Sequence, residues 1–229
     1  MSRERRMEES VLDDTQPPFA TAIAPIIHPC VAALLKHQQT LFAAARLHQG
    51  PTHVLLPHLI EENSHAFHNA LKAIDLPHRV YYAAKANNAH SLMRHILNTN
   101  GYIDVSSDAE LIRALGVGFV GHQIECTGPK NRNFLTLAMR HLCLISADSI
   151  EELEMIRSIR QHLALSKPTE ILVRISDPTM ADRNLQARPS KFGVRTDAIG
   201  AVLDIIGDES DMVLKEGRPS SWKNSPKLG

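Results

Sequence analysis

The sequence predicts an α/β protein of parallel strands joined by helical crossovers. Three observations carry that expectation. After Gly50, short apolar runs alternate with stretches whose apolar residues recur at helical spacing. Two of those stretches open on Ser-x-x-Glu, at Ser107 to Glu110 and at Ser149 to Glu152, the pattern of a capping box. The links between runs are short, as a compact βα protein requires.

Taken in order, Met1 to Pro18 are charged, contain Pro17-Pro18 and lack an apolar period, so a mobile tail is expected. Phe19 to Leu35 is apolar enough to suggest a targeting or membrane segment. However, Pro25, His28 and Pro29 interrupt it, Glu8, Glu9, Asp13 and Asp14 precede it, and its length falls short of the ~20 residues a span needs. A packed N-terminal helix or extended arm is expected instead. Val31, Leu34, Leu35, Leu41 and Phe42 then predict one helix or two short ones between Cys30 and Leu47, ended by Gly50-Pro51. Strands are expected at His53 to Leu56, Val80 to Lys85, Tyr102 to Ser106, Gln123 to Thr127, Leu142 to Ser146 and Ile171 to Ser176, with helices between consecutive pairs. Thr196 to Ile206 reads as a further helix. Gly207 to Gly229 reads as a loose polar tail with one short apolar run, Met212-Val213-Leu214. A closed barrel and an open doubly wound sheet share this alternation, and periodicity does not choose between them.

Composition narrows the partners. Lys plus Arg and Asp plus Glu both number 25, and no basic stripe interleaved with aromatics is present. A small molecule is therefore expected, not nucleic acid or membrane. Cys30, Cys126 and Cys143 are widely spaced and form no C-x-x-C pair, which reads as reduced structural thiols in cytoplasm. The thirteen histidines form no H-E-x-x-H; His65 and His68 lie three apart without a carboxylate pattern, so no metal is expected.

The residue that most invites chemistry is Lys85, at the end of Val80-Tyr81-Tyr82-Ala83-Ala84. The apolar run before it predicts that strand packing carries the amine toward a low-dielectric site, where loss of water favours the neutral, nucleophilic form. The competing reading is a lysine that snorkels at the rim of a core. Strand alternation puts Lys85 with Ala83 and Tyr81, Asp104 with Tyr102 and Ser106, and Arg174 with Leu172, each polar residue near the C-terminal end of its strand. Taken alone, Asp104 also reads as a cap for the Ser106 or Ser107 amides, Arg174 as half of a structural ion pair, and Glu110 as the capping-box partner of Ser107.

Tyr82-Ala83-Ala84-Lys85-Ala86-Asn87 closely resembles the Y-A-x-K-A-N motif of the pyridoxal-phosphate-dependent ornithine/diaminopimelate/arginine decarboxylase family, whose barrel is of the alanine racemase type. Further segments follow in the family's order. They are Gly101 to Ser107 (like G-x-x-D-V-A-S), Cys126 to Lys130 (like the T-G-P-x-K turn), Asp148 to Leu153 (D-S-x-E-E-L), Leu172 to Ile175 (like L-L-R-I) and Ser190 to Gly193 (S-K-F-G). The resemblance implies a partial (β/α)8 barrel of about five strands, with the His53 to Leu56 strand joining a separate β-domain. Together with the composition of the two ends, it divides the chain into a tail at 1–18, a helical arm and strand at 19–57, the cofactor-binding barrel at 58–206 and an irregular tail at 207–229. It also implies pyridoxal 5'-phosphate as cofactor and Lys85 as its Schiff-base lysine, with Asp104 and Arg174 as cofactor-site residues and Glu110 as a secondary one. Tyr82 and Asn87 are expected to wall the pocket. The Gly128-Pro129-Lys130 turn either aims amides at an anion or simply starts a helix, and Lys191 lies in a mobile family loop.

The family continues with a H-x-G-S strand, a Gly-rich phosphate turn, an acidic partner for the pyridine nitrogen and a β-domain, and none of these is legible here. Three functions are therefore expected to compete. One is a decarboxylase of a basic or dicarboxylic amino acid, shortened at its C-terminal side. Another is a catalytically silent paralogue that pairs with a full-length relative, and the third is a carrier or racemase-like protein using the same lysine. Exposed strand edges predict a homodimer or heterodimer.

Overall fold

Prolines and side-chain caps set where the first helices begin. The computed structural model describes residues 26–163, 165–176, 192–207 and 211–215, and the chain divides into two units, Met1–Val54 and Leu55–Gly229. The tail expected at 1–18 and the residues Ser190 and Lys191 lie outside the described residues. In the first unit α1 (Pro29–Lys36) opens with Pro29 in its first turn, while His28 Nδ1 accepts the Cys30 amide at 3.3 Å. His37 leaves helical geometry (φ −97°, ψ 50°), so the run from Cys30 to Leu47 forms two helices, the second being α2 (Gln38–His48). The strand expected at His53 to Leu56 does not form. A strand needs a neighbour for its ladder groups, and none of the described strands pairs with this segment.

The second unit runs α3 (Pro57–Ala73), β1 (Tyr81–Ala83), α4 (His90–Asn98), β2 (Tyr102–Val105), α5 (Asp108–Val117), β3 (Ile124–Cys126), α6 (Arg132–Arg140), β4 (Leu144–Ala147), α7 (Ile150–His162), β5 (Thr169–Val173), β6 (Ile175–Ser176), β7 (Val194–Arg195), α8 (Ile199–Ile206) and β8 (Met212–Leu214). Six strands pair in the order β1-β2-β3-β4-β5-β8, all parallel. That unbroken order decides what periodicity left open, because a doubly wound sheet reverses its order at a switch point whereas barrel strands follow one another. The short pair β6-β7 stands apart from this sheet. Met212 to Leu214, read above as part of a tail, supplies a sixth strand: Thr169 pairs with Met212 and Ile171 with Leu214. Three apolar residues are a weak strand signal until a neighbour accepts their backbone groups. Among the described residues no helix is long and apolar enough to cross a membrane.

The two faces of the sheet differ. Ile103, Val105, Ile124, Cys126, Ile145, Ala147 and Ile171 are fully buried and form one core with Met93 and Ile96 of α4, Leu111 of α5, Phe134 and Leu135 of α6 and Ile156 of α7. Each such residue removes about 1.5–3 kcal/mol worth of apolar surface from water. Their neighbours on the other face, Tyr102, Asp104, Glu125, Leu144, Glu170 and Leu172, are only half-buried. Gly121 lets the turn before β3 pass beneath the end of α6, since a Cβ there would lie 1.7 Å from the His141 carbonyl oxygen.

A single carboxylate ties the turns that follow β3 and β4. Glu152 Oε2 accepts the Asp148 amide at 2.8 Å, and Oε1 accepts the Lys130 amide at 3.1 Å. Lys130 Nζ lies 3.2 Å from Oε2 and donates to the carbonyls of Gly128 and Ser146 at 2.6 and 2.7 Å. The Lys130 side chain has no exposed surface, so this turn is a buried strut and its Lys130 amide is already committed within the chain. Removing one partner of a buried pair strands the other. Glu152→Ala is predicted to lower the unfolding free energy by about 3–5 kcal/mol in denaturant melts; a loss below about 1 kcal/mol, the value of an exposed pair, contradicts the strut.

Candidate active site

The expected strand from Val80 to Lys85 ends at Ala83, and Ala84 to Ala86 form a single 3-10 turn. Ala84 is fully buried while Lys85 is exposed, so its amine stands in water at the C-terminal end of β1 and not in the low-dielectric setting expected of it. The turn keeps the alternation: Ala84 continues the buried face that Ile103 and Val105 occupy in β2, and Lys85 stands exposed beside it. Its far end is tied down. Tyr82 Oη donates to the Asn87 carbonyl at 3.0 Å, and Asn87 Oδ1 accepts the Ala89 amide at 3.0 Å. Burial raises the Tyr82 phenol above its ordinary value, which favours the donating form. Arg113 of α5 adds bonds to the carbonyl and side-chain oxygens of Asn88 at 3.1 and 2.8 Å. Tyr82 and Asn87 therefore brace the lysine turn. Arg113 was not legible in the sequence, because only the fold brings it 25 residues back along the chain.

Ala83 stands in register with Asp104, and Asp104 with Glu125. Asp104 Oδ1 accepts Thr127 Oγ1–H at 2.6 Å, and Thr127 Oγ1 lies 3.1 Å from Ser106 Oγ. Asp104 does not cap the β2 turn. The Ser106 amide goes to Glu110 Oε2 at 2.8 Å, while Ser107 Oγ accepts the Glu110 amide at 3.2 Å. Glu110 thus closes a capping box shifted by one residue, and its reach into the site is through the backbone it holds.

Arg174 follows β5, with Nη1 3.1 Å from Asp148 Oδ1 and its guanidinium carbon 5.8 Å from the centre of the Phe192 ring. Asp104 stands beside Glu125 in register, and the Glu125 carboxyl is raised first by burial and then by the Asp104 charge, with the Arg174 and Lys130 charges opposing. Lys85 has no hydrogen bond or ion pair among the described residues. Glu125 was missed in the sequence although its alternation with buried Ile124 and Cys126 marks it as facing Asp104. A cavity of about 470 Å³ along the free edge of β1 is lined by Ile60, Phe67 and Tyr102 among others, and by Ala83 and Ala86 beside Lys85; none of the four expected site residues lines it. Among the described residues, no three His, Cys, Asp or Glu side chains gather to hold a metal ion.

A raised native carboxyl binds its proton more tightly folded than unfolded. Glu125 therefore contributes stability in acid that is lost as pH rises through its folded value. Glu125→Gln is predicted to be more stable than the parent near pH 7, with the gain shrinking toward the unfolded carboxyl value of about 4.3. Urea melts across that range check the sign, and a variant that loses stability at neutral pH refutes it.

Comparisons with known proteins bear on the family and the fold. Residues 58–213 match the family described as pyridoxal-dependent decarboxylase, pyridoxal binding domain. The chain is 34% identical over 179 residues to an uncharacterized protein of Sinorhizobium fredii, covering 77% of this chain and 37% of that one. It is 32% identical over 149 residues to a diaminopimelate decarboxylase of Archaeoglobus fulgidus, covering 63% and 34%. The fold is shared with the crystal structures of an M. jannaschii diaminopimelate decarboxylase (22% identity, TM-score 0.56, 68% and 38% covered) and a Paramecium bursaria Chlorella virus arginine decarboxylase (21%, 0.52, 73% and 43%). The chain spans 29% to 37% of the lengths of the curated relatives it matches. The donor set fits the cofactor this family implies, pyridoxal 5'-phosphate: an unengaged primary amine suits its aldehyde, and a half-exposed guanidinium suits its anionic oxygens. By motif order, strand order and the match over residues 58–213, this chain belongs to the pyridoxal-dependent decarboxylases, through their pyridoxal binding domain.

Proposed function

We propose that this chain carries the cofactor-binding part of an amino-acid decarboxylase, acting in the cytoplasm on a basic or dicarboxylic amino acid, with Lys85 as the lysine that holds the cofactor. The observation that carries the reading is the Lys85 amine. It is exposed at the C-terminal end of β1, free of partners among the described residues and one strand from Asp104. When bound, pyridoxal phosphate supplies an electron sink that accepts the charge left as carbon dioxide leaves the α-carbon. The chain's own residues do the positioning. The braced turn presents Lys85 Nζ, Thr127 fixes the Asp104 carboxylate, and Arg174 faces anionic oxygens. Glu110 holds the end of β2 by its bond to the Ser106 amide.

A second reading, a silent paralogue that binds a full-length relative, is favoured by one observation. The outer edges of β1 and β8 pair with no strand among the described residues, and such edges invite another chain. A homodimer satisfies the same edges.

Titration with pyridoxal phosphate, borohydride reduction and peptide mapping tests the choice. The expected result is a covalent adduct on Lys85 that disappears in Lys85→Ala, with carbon dioxide released from one of the candidate amino acids. An adduct elsewhere sinks the assignment of Lys85, and no adduct at all favours the silent paralogue.

A further inference from the structure

Asp148 lies just past β4, and its side chain is 8% exposed. Neither carboxylate oxygen receives a directed hydrogen bond from the described residues, yet Oδ1 is 3.1 Å from Arg174 Nη1. The contact is a charge pair whose angles fall outside those of a hydrogen bond. A buried carboxylate costs several kcal/mol unless paired, so this one depends on Arg174. Its backbone is held on both sides: the Asp148 amide donates to Glu152 Oε2 at 2.8 Å, and its carbonyl accepts the Gly193 amide at 2.9 Å. Arg174 is braced in turn. Its amide donates to the Ala147 carbonyl at 2.9 Å, its carbonyl accepts the Val194 amide at 2.7 Å, and the guanidinium rests on Phe192. Gly193, at φ +100°, keeps the stem clear, since a Cβ there would lie 3.2 Å from Arg174 Cγ.

The pair is unequal: the anion is buried and the cation is 41% exposed. A carboxylate this buried ordinarily takes further hydrogen-bond donors, and none is directed at Asp148 among the described residues. We propose that Asp148 is a positioning residue that aims the Arg174 guanidinium from the ends of β4 and β5 at an anionic oxygen of bound pyridoxal phosphate. This rests on the cofactor reading above. Because Arg174 is half-exposed, water re-solvates it when Asp148 is neutralised, while an amide is cheaper to bury than a carboxylate. Asp148→Asn therefore leaves folding intact and loosens the guanidinium.

The test uses the full chain with Asp148→Asn, Arg174→Ala and the double variant. Absorbance titration with pyridoxal phosphate is expected to give about tenfold weaker binding for Asp148→Asn, the value of one charge-assisted contact, at an unchanged unfolding midpoint. The double variant is expected to bind no more weakly than Arg174→Ala, because Asp148 acts only through that guanidinium. In cofactor-free protein, labelling of Arg174 by phenylglyoxal, read by mass spectrometry, is expected to quicken in Asp148→Asn. Parental affinity in Asp148→Asn, fully additive losses in the double variant, or affinity that falls only in step with the unfolding midpoint overturns the proposal. If the parent takes up no pyridoxal phosphate, the cofactor reading fails separately and labelling decides: equal rates in parent and Asp148→Asn overturn the positioning role, and a faster rate in the variant supports it.

Discussion

A parallel sheet with one fully buried face imposes the order seen in the rest of the second unit. Parallel strands cannot be joined by tight turns, so each return is a helix, and the sequential strand order keeps those helices against one face. Because side chains alternate, burying Ile103, Val105, Ile124 and Cys126 sends Tyr102, Asp104 and Glu125 to the opposite face. A one-residue slip in β2, β3 or β5 would bury a carboxylate among the helices and expose an isoleucine. The position of the charged groups is thus enforced by the apolar ones.

At the C-terminal ends of the strands the chain uses one device twice. Ser107 with Glu110, and Ser149 with Glu152, start the helices after β2 and β4. In both, the glutamate reaches the amide one residue before the serine, at Ser106 and at Asp148. The bond therefore fastens the strand end as well as the helix start. Glu152 does more, since it also meets Lys130 and joins two neighbouring turns. Rigid strand ends allow loosely engaged groups, Lys85 and the exposed part of Arg174, to be presented without local collapse. Many of the bonds that hold the rim run from a side chain to the backbone, and the Lys85 side chain is left unengaged among the described residues.

Much of this was legible beforehand for reasons that can be named. Five of the six main strands and the helices between them follow from apolar period and capping residues, which act over a few positions. Met212 to Leu214 was misread because its strand character comes from β5, 43 residues earlier in the chain by the pairs Thr169–Met212 and Ile171–Leu214. His53 to Leu56 was misread in the opposite sense, having the composition of a strand but no described neighbour. Lys85 was placed on the right strand end but in the wrong medium, because the buried face ends on Ala84 and the residue after it stands exposed. The strand-end positions of Asp104 and Arg174 were legible from motif and parity. Glu125, Arg113 and Asp148 were not singled out, since each matters through a partner on another strand or helix.

The sequence by itself determined the family, the alternation of strands and helices, the helix starts and the residue types available for chemistry, because these rest on local periodicity and on motifs read within a few positions. Tertiary structure alone decided the strand order, the sixth strand and the exposure of Lys85. It also decided that Lys130 is a buried strut and that Asp148 meets Arg174. The physical reason is the same in each case. Burial, register and charge pairing are properties of groups far apart in the chain, and they acquire values only when the sheet brings those groups within a few ångströms of one another.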